Sequence, residues 1–370
     1  MKIAILSPFY PYRGGIAQFS AMLYKALEKE HTVKAISFSR LYPDFLFPGK
    51  TQLVEEGDDA IQIPSVRKLD SIGLLSYSLT ARTIKKIQPD VLIIPYWTSF
   101  FAPAYTYIAS RLKKQTKIIA LLHNAIPHEP RFFDKPLAKV FFKQCQKFVV
   151  MSEIVKRDLL AMRPDAQYCM EQHPVYDHFG RKSLPEKAKT QLGLDIHKKT
   201  LLFFGLIRDY KGLDLLIEAL SMLDDSYQLL VAGEVYGSFD KYQTQIDNSP
   251  AKERILLFNH YMEDKEVPVL FSAADVLVLP YKSATQSGVI PVAYHFETPV
   301  VTTNVGGLKG TIESAGSGIV CESTAADLAQ GIQTLFSIGK DTFVANIQKE
   351  KNNLTWEKFS QALVSFIQKQ

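Results

Sequence analysis

Short runs of β-branched and other apolar residues recur along the chain. Each closes in turn residues and is followed by a stretch whose apolar positions return every three or four residues. In the first half these runs are Ile3–Leu6, Val33–Phe38, Val91–Ile94, Ile118–Leu122 and Phe148–Met151; in the second they are Leu201–Phe204, Gln228–Ala232, Ile255–Phe258, Asp275–Leu279 and Val300–Thr303. A strand that is apolar at consecutive positions needs cover on both faces, and alternation with helices demands crossover connections. The expected fold class is α/β, with two Rossmann-like, doubly wound parallel-sheet domains facing a cleft at the carboxyl ends of their strands.

The hydrophobic period lapses between about His173 and Thr200, where Asp177, His178, Gly180, Arg181, Lys182, Pro185, Glu186, Lys187 and Lys189 gather. That composition predicts a linker over residues 176–199, between an N-terminal domain of residues 1–175 and a C-terminal domain of residues 200–352. Within residues 353–370, Trp356, Phe359, Leu363 and Phe366/Ile367 are spaced by three or four, which predicts one amphipathic helix.

Composition narrows the picture. The 370 residues include 43 Lys+Arg against 38 Asp+Glu and are 46% apolar, with 23 Phe and 17 Tyr, which excludes disordered and fibrous chains. A net charge of +5 is too mild to suggest a nucleic-acid partner. Cys145, Cys169 and Cys321 are an odd number without Cys-x-x-Cys spacing, so a reducing compartment and no structural zinc are expected. Pro8 and Pro11 cut the first apolar run too short for a signal core, and no run approaches the ~18 apolar residues of a membrane span. The expected location is cytoplasmic, free or peripheral on the inner face of a membrane. No Asp-x-Asp and no dense carboxylate/His cluster occurs, so no metal and no cofactor are expected, and His128, Glu129 and His173 read as solvated loop residues.

Two strand-to-helix loops carry candidate chemistry. In the first, Gly14 and Gly15 stand where a helix begins, a position that frees backbone N–H groups to approach an anion. In the second, the strand ending at Gly205 is followed by Arg208 and Lys211, three apart and both able to reach a diphosphate. This segment, Gly205 to Gly212, resembles the Gly-x-x-x-x-x-Lys-Gly of the family-four retaining glycosyltransferases of GT-B fold. The resemblance extends through Val231-Ala232-Gly233, Phe271–Pro280, Thr298–Gly307, the Trp356 helix, Leu121-Leu122-His123-Asn124 and Met151-Ser152-Glu153. It implies a metal-independent enzyme that moves a sugar, with retention, from a nucleoside diphosphate sugar to a glycan, lipid-linked or other acceptor, as in polysaccharide biosynthesis. Arg208 and Lys211 would hold the diphosphate, His123 would face the acceptor, Gly14 and Gly15 would add backbone donors, and the last helix would cross back to the first domain.

One departure stands out. Where the family carries two glutamates with seven residues between them, this chain has Ala284 and Val292. Gln286, Ser287 and Gly288 are expected to take over donor contacts, with Gly288 opening a helix. The missing glutamates leave two other readings open, a non-catalytic sugar-nucleotide binding protein of the same fold and a nucleotide-sugar epimerase. Finally, Lys135, Lys139, Lys143 and Lys147, four apart beside Phe141 and Phe142, predict a basic helical stripe able to rest on an anionic membrane.

Overall fold

The computed structural model describes residues 1–47, 49, 51–55, 58, 60–127 and 131–369. The chain forms two compact units, one of residues 1–173 with 356–370, the other of residues 174–355.

The first unit runs β1 (Lys2–Leu6), α1 (Gly15–Glu28), β2 (Thr32–Arg40), β3 (Ser65–Asp70), α2 (Leu74–Ile87), β4 (Val91–Tyr96), α3 (Ala102–Leu112), β5 (Lys117–Leu122), α4 (Asp134–Phe142), β6 (Lys147–Val150), α5 (Glu153–Met162) and β7 (Tyr168–Met170). Its sheet is ordered β3-β2-β1-β4-β5-β6-β7, with every neighbouring pair parallel. All six residues of β4 are buried, as a strand sandwiched between helix layers must be. One layer holds α2, α3 and α4, whose Tyr77, Ala81, Ile108, Phe141 and Phe142 join the core over Leu92, Ile94 and Phe148.

The second unit runs α6 (Pro185–Leu192), β8 (Lys199–Phe204), α7 (Leu213–Ser221), β9 (Tyr227–Ala232), α8 (Asp240–Asp247), β10 (Ile255–Phe258), α9 (Val267–Ala273), β11 (Val276–Leu279), α10 (Ile290–His295), β12 (Val300–Thr303), α11 (Leu308–Ala315), β13 (Gly318–Cys321), α12 (Ala325–Ile338) and α13 (Lys340–Lys351). Its parallel sheet is ordered β10-β9-β8-β11-β12-β13. Leu201, Leu229, Val276 and Val301 of its strands pack with Leu216, Leu220, Leu328 and Ile332 of its helices.

The last helix, α14 (Trp356–Gln368), belongs to the first unit, where it packs on α1. Lys117 and Lys147 each extend an ammonium to its C-terminal carbonyls, Lys117 to Ile367 at 2.8 Å and Lys147 to Phe366 at 2.7 Å. Cations suit the negative end of a helix.

Two expectations change. The segment read as a linker is part of the second unit: residues 185–192 form α6, Ala188 is buried, and Lys189 Nζ lies 2.9 Å from Asp275 Oδ2. The basic stripe also breaks. Lys143 caps α4, and Lys147 lies buried on β6, while Phe141 and Phe142 face the core; Lys135, Lys139 and Lys143 alone remain exposed. A helix of nine residues ends before the spacing can carry to Lys147.

Candidate active site

A doubly wound sheet leaves a crevice where its strand order reverses, because the helices after the two central strands depart to opposite faces. In the second unit the order reverses at β8, so the crevice opens between the carboxyl ends of β8 and β11. The residues there are brought together by close backbone approaches. Gly205 follows β8 with φ +105°, and a Cβ on Gly233, after β9, would stand 1.7 Å from the Gly205 carbonyl oxygen. Arg208 is extended, Asp209–Lys211 form one 3₁₀ turn, and Gly212 leaves it at φ +69°. A Cβ on Gly212 would stand 1.8 Å from the Pro280 oxygen, so only glycine lets this loop lie against the end of β11.

That contact seats Lys211 beside Tyr281. The Lys211 ammonium donates to Tyr281 Oη and lies 3.9 Å from the ring centroid. Tyr281 Oη is 3.2 Å from Ser287 Oγ, which accepts the Val289 N–H at 3.3 Å. The two loops are pinned further by Lys282, whose N–H meets the Tyr210 oxygen at 2.8 Å and whose ammonium meets Asp214 at 2.7 Å. Arg208 lies over the other neighbour, Tyr210, at 5.7 Å. Burial pushes the Lys211 amine down to about 8, so it still carries much of its charge at neutral pH while being poor in solvating water.

The structure thus joins Arg208, Lys211, Gly205 and Ser287 around one strand-end crevice. Gln286 is in the same loop, half-buried. Gly288 does not open a helix: it lies in an exposed turn, α10 begins two residues later with Pro291 in its first turn, and the Ile290 N–H is already bonded to the Ser287 oxygen at 3.3 Å. Ala284 and Val292 are buried at 7% and 4% exposure, in places where carboxylates would lack water. The Ala284 oxygen is held against Gly306, where a Cβ would clash at 1.5 Å, and Thr285 accepts the Gly307 N–H at 3.2 Å. Sequence reading missed Tyr281 and Tyr210, since a tyrosine after a strand carries no signal of what its hydroxyl will meet.

In the first unit the reversal falls at β1. Gly14 caps α1 at φ +98° with open space where a Cβ would stand, and Gly15 is the first helical residue. His123 directly follows β5, its N–H bonded to the Tyr96 oxygen at 2.9 Å. Its ring meets Phe19 edge-on at 4.7 Å, and burial, reinforced by His173, lowers its imidazole to about 3, so it is neutral at physiological pH. His173 is not a solvated loop residue, because it packs edge-on against the same Phe19 at 5.0 Å. His128 and Glu129 lie outside the described residues. Among the described residues no group of three His, Cys, Asp or Glu side chains could hold a metal ion.

The sequence model of "Glycosyl transferases group 1" matches residues 186–351, and that of "Glycosyltransferase Family 4" matches residues 13–167. The chain belongs to this glycosyltransferase family. The first of these matches spans most of the unit that holds the Arg208/Lys211 crevice, and the second spans most of the unit that holds His123. Among curated relatives, D-inositol 3-phosphate glycosyltransferase of Corynebacterium aurimucosum is 27% identical over 164 residues, 42% of this chain and 39% of the relative. The chain spans about two fifths of the length of the first such relatives, whereas an uncharacterized glycosyltransferase of Methanocaldococcus jannaschii is 24% identical over 97% of this chain and 95% of its own. Solved structures share the fold. Anabaena HepE in complex with UDP has a TM-score of 0.77 at 16% identity, covering 99% of both chains. The sucrose-phosphate synthase of Thermosynechococcus elongatus scores 0.76 at 16% identity, covering 99% of this chain and 98% of its own. These are GT-B glycosyltransferase structures, and both units of this chain have the parallel-sheet architecture they share.

Proposed function

We propose that this protein transfers a sugar, with retention and without a metal ion, from a nucleoside diphosphate sugar to a glycan or lipid-linked acceptor. The observation that carries the reading is the crevice between β8 and β11, where Arg208 and a desolvated Lys211 stand three residues apart at strand ends locked together by Gly212 and Pro280. Anabaena HepE, which shares the fold, was solved with UDP and with UDP-glucose, which supports a nucleotide-sugar ligand.

The leaving group of such a reaction is a diphosphate, and negative charge accumulates on it as the glycosidic bond breaks. Arg208 offers a two-pronged guanidinium and Lys211 a point charge, and both act more strongly where water is scarce. Ser287, reached through Tyr281, supplies a neutral hydroxyl near the same loop. His123, neutral in its buried setting, orients a sugar hydroxyl in the first unit and is no reservoir of protons.

Nucleoside diphosphate release from a panel of uridine, guanosine and adenosine diphosphate sugars, with and without acceptor, tests the reading. Slow release without acceptor, lost in Arg208→Ala, supports it. A second reading, binding of the nucleotide sugar without turnover, is favoured by the buried Ala284 and Val292 at the places of the family's glutamates. Tight binding with no release from any donor would select it.

A further inference from the structure

Between the two cations of the crevice stands an acid. Arg208, Asp209, Tyr210 and Lys211 are consecutive, so the Asp209 carboxylate belongs to a residue next to the guanidinium and two away from the ammonium. Consecutive Cα atoms are about 3.8 Å apart, which leaves both cations within its reach. A carboxylate turned toward them would compete with any anion that the pair holds.

Asp209 turns elsewhere. Its carboxylate accepts a hydrogen bond from the Lys241 ammonium of α8 and lies 3.7 Å from that of Lys282, which follows β11. These contacts, the Lys241 bond foremost, hold its carboxyl below the usual carboxylate range. Both lysines are themselves placed. Lys241 lies over the buried Tyr242 ring at 4.6 Å, and Lys282 is fixed by Asp214 at 2.7 Å and by its own N–H on the Tyr210 oxygen. Gln245, one turn along α8 from Lys241, donates to the Asp214 oxygen at 2.8 Å and ties α8 to the start of α7. On the inner side of the turn, Arg208 and Lys211 both lie over the Tyr210 ring, at 5.7 and 5.5 Å. After burial, the groups that shift the Lys211 amine are Tyr210 and Arg208, and Asp209 is not one of them.

We propose that Lys241, with Lys282 beside it, is a positioning residue for the anion site: it draws the Asp209 carboxylate outward and so keeps it off Arg208 and Lys211, whose charges the bound anion needs. That the anion is a diphosphate rests on the glycosyltransferase reading; the diversion of Asp209 does not. The Lys241–Asp209 pair contributes little to the fold, since its side chains are 51% and 66% exposed and ion pairs in water are weak. Its effect falls on the anion.

Calorimetric titration of the full chain with uridine diphosphate tests it, beside thermal melts and a ligand-free measurement. The latter follows the Lys211 amine against pH by nuclear magnetic resonance of lysine labelled at Cε, the signal being the one lost in Lys211→Met. Lys241→Met loses about tenfold in affinity with an unchanged melting temperature, and its Lys211 amine titrates at higher pH because a carboxylate has come within reach. Lys241→Arg, which can still hold Asp209, binds as the wild type does. Adding Asp209→Asn to Lys241→Met restores both affinity and titration. Adding Asp240→Asn instead, an equal change of net charge at the exposed residue next to Lys241, restores neither. Wild-type affinity in Lys241→Met, an unmoved Lys211 titration in that variant, or equal rescue by Asp240→Asn overturns the proposal. Failure of the glycosyltransferase reading shows differently: the wild type then binds no nucleoside diphosphate, and the Lys211 titrations alone decide whether Asp209 is held away.

Discussion

The Lys211 ammonium sits on Tyr281, hydrogen-bonded to its hydroxyl and 3.9 Å from the centre of its ring. One side chain therefore keeps the cation aimed while no anion is present, and the same hydroxyl ties it to Ser287. On the proposed function, replacing Lys211 or Arg208 by Ala would remove a charged contact to the leaving group and should cost about 2–4 kcal/mol of transition-state stabilisation with the fold intact. Tyr281→Phe keeps the ring but drops the hydroxyl, and turnover should fall by about tenfold with little change in melting temperature. Steady-state kinetics beside thermal melts check all three, and near-normal turnover in both cation variants would remove the diphosphate assignment.

The lowered Lys211 amine makes binding depend on pH. A bound diphosphate favours the protonated amine, so below about 8 the free protein already holds the proton and affinity is flat. Above that value binding must take up a proton, and affinity should fall by up to about tenfold per pH unit. Titration calorimetry with a nucleoside diphosphate on either side of this point measures it. The dependence should vanish in Lys211→Met.

Gly212→Ala should be among the most damaging single changes in the second unit. The residue sits at φ +69°, and its new Cβ would stand 1.8 Å from a backbone oxygen that cannot swing away. A loss of about 3 kcal/mol or more, read from denaturant unfolding, is expected. A variant that unfolds like the wild type would mean that the loop is free to move off Pro280.

Restoring a glutamate at Val292 should harm the protein without improving it. The side chain is 4% exposed, so a carboxylate there lacks water and a built partner, at a cost of about 3–5 kcal/mol. A V292E variant with an unchanged melting temperature and stronger donor binding would show instead that the family's contact can be rebuilt on this chain.

His123 predicts a response to acid. Its imidazole titrates near 6.5 in the unfolded chain and near 3 when folded, so between these values the unfolded state alone binds the proton. Stability contributed by neutral His123 is complete above about 6.5 and is lost as pH falls, by about 1.4 kcal/mol per pH unit. His123→Gln should flatten that part of the pH-stability curve, as followed by unfolding at a series of pH values.

The ten apolar runs read from the sequence all became strands, and except for the half-buried edge strand β10 each has most of its residues buried, as cover on both faces requires. Three strands escaped that signal. β3 reads Ser-Val-Arg-Lys-Leu-Asp with a single buried residue, β7 has three residues, and β13 is half-buried throughout, all at or near sheet edges where one face or one side stays wet. The Arg208/Lys211 pair was legible because its chemistry is local to one loop. Tyr281 was not, since its meaning depends on Gly212 bringing a loop seventy residues away against Pro280. The lysine stripe failed for a related reason: four-residue spacing holds only while a helix lasts, and Lys147 had already entered a strand.

The placement of α14 has a consequence for the order in which the chain can be made and folded. Everything the second unit needs, residues 174–355, has been synthesised before Trp356 is added, whereas the first unit waits for the final helix to cover Phe19 and to receive the ammonium groups of Lys117 and Lys147. A chain that stops at Thr355 should therefore hold a finished second unit and an unfinished first one. Chains ending just before Trp356 should refold their second unit and aggregate through the first, an outcome that limited proteolysis of such a truncation can read directly.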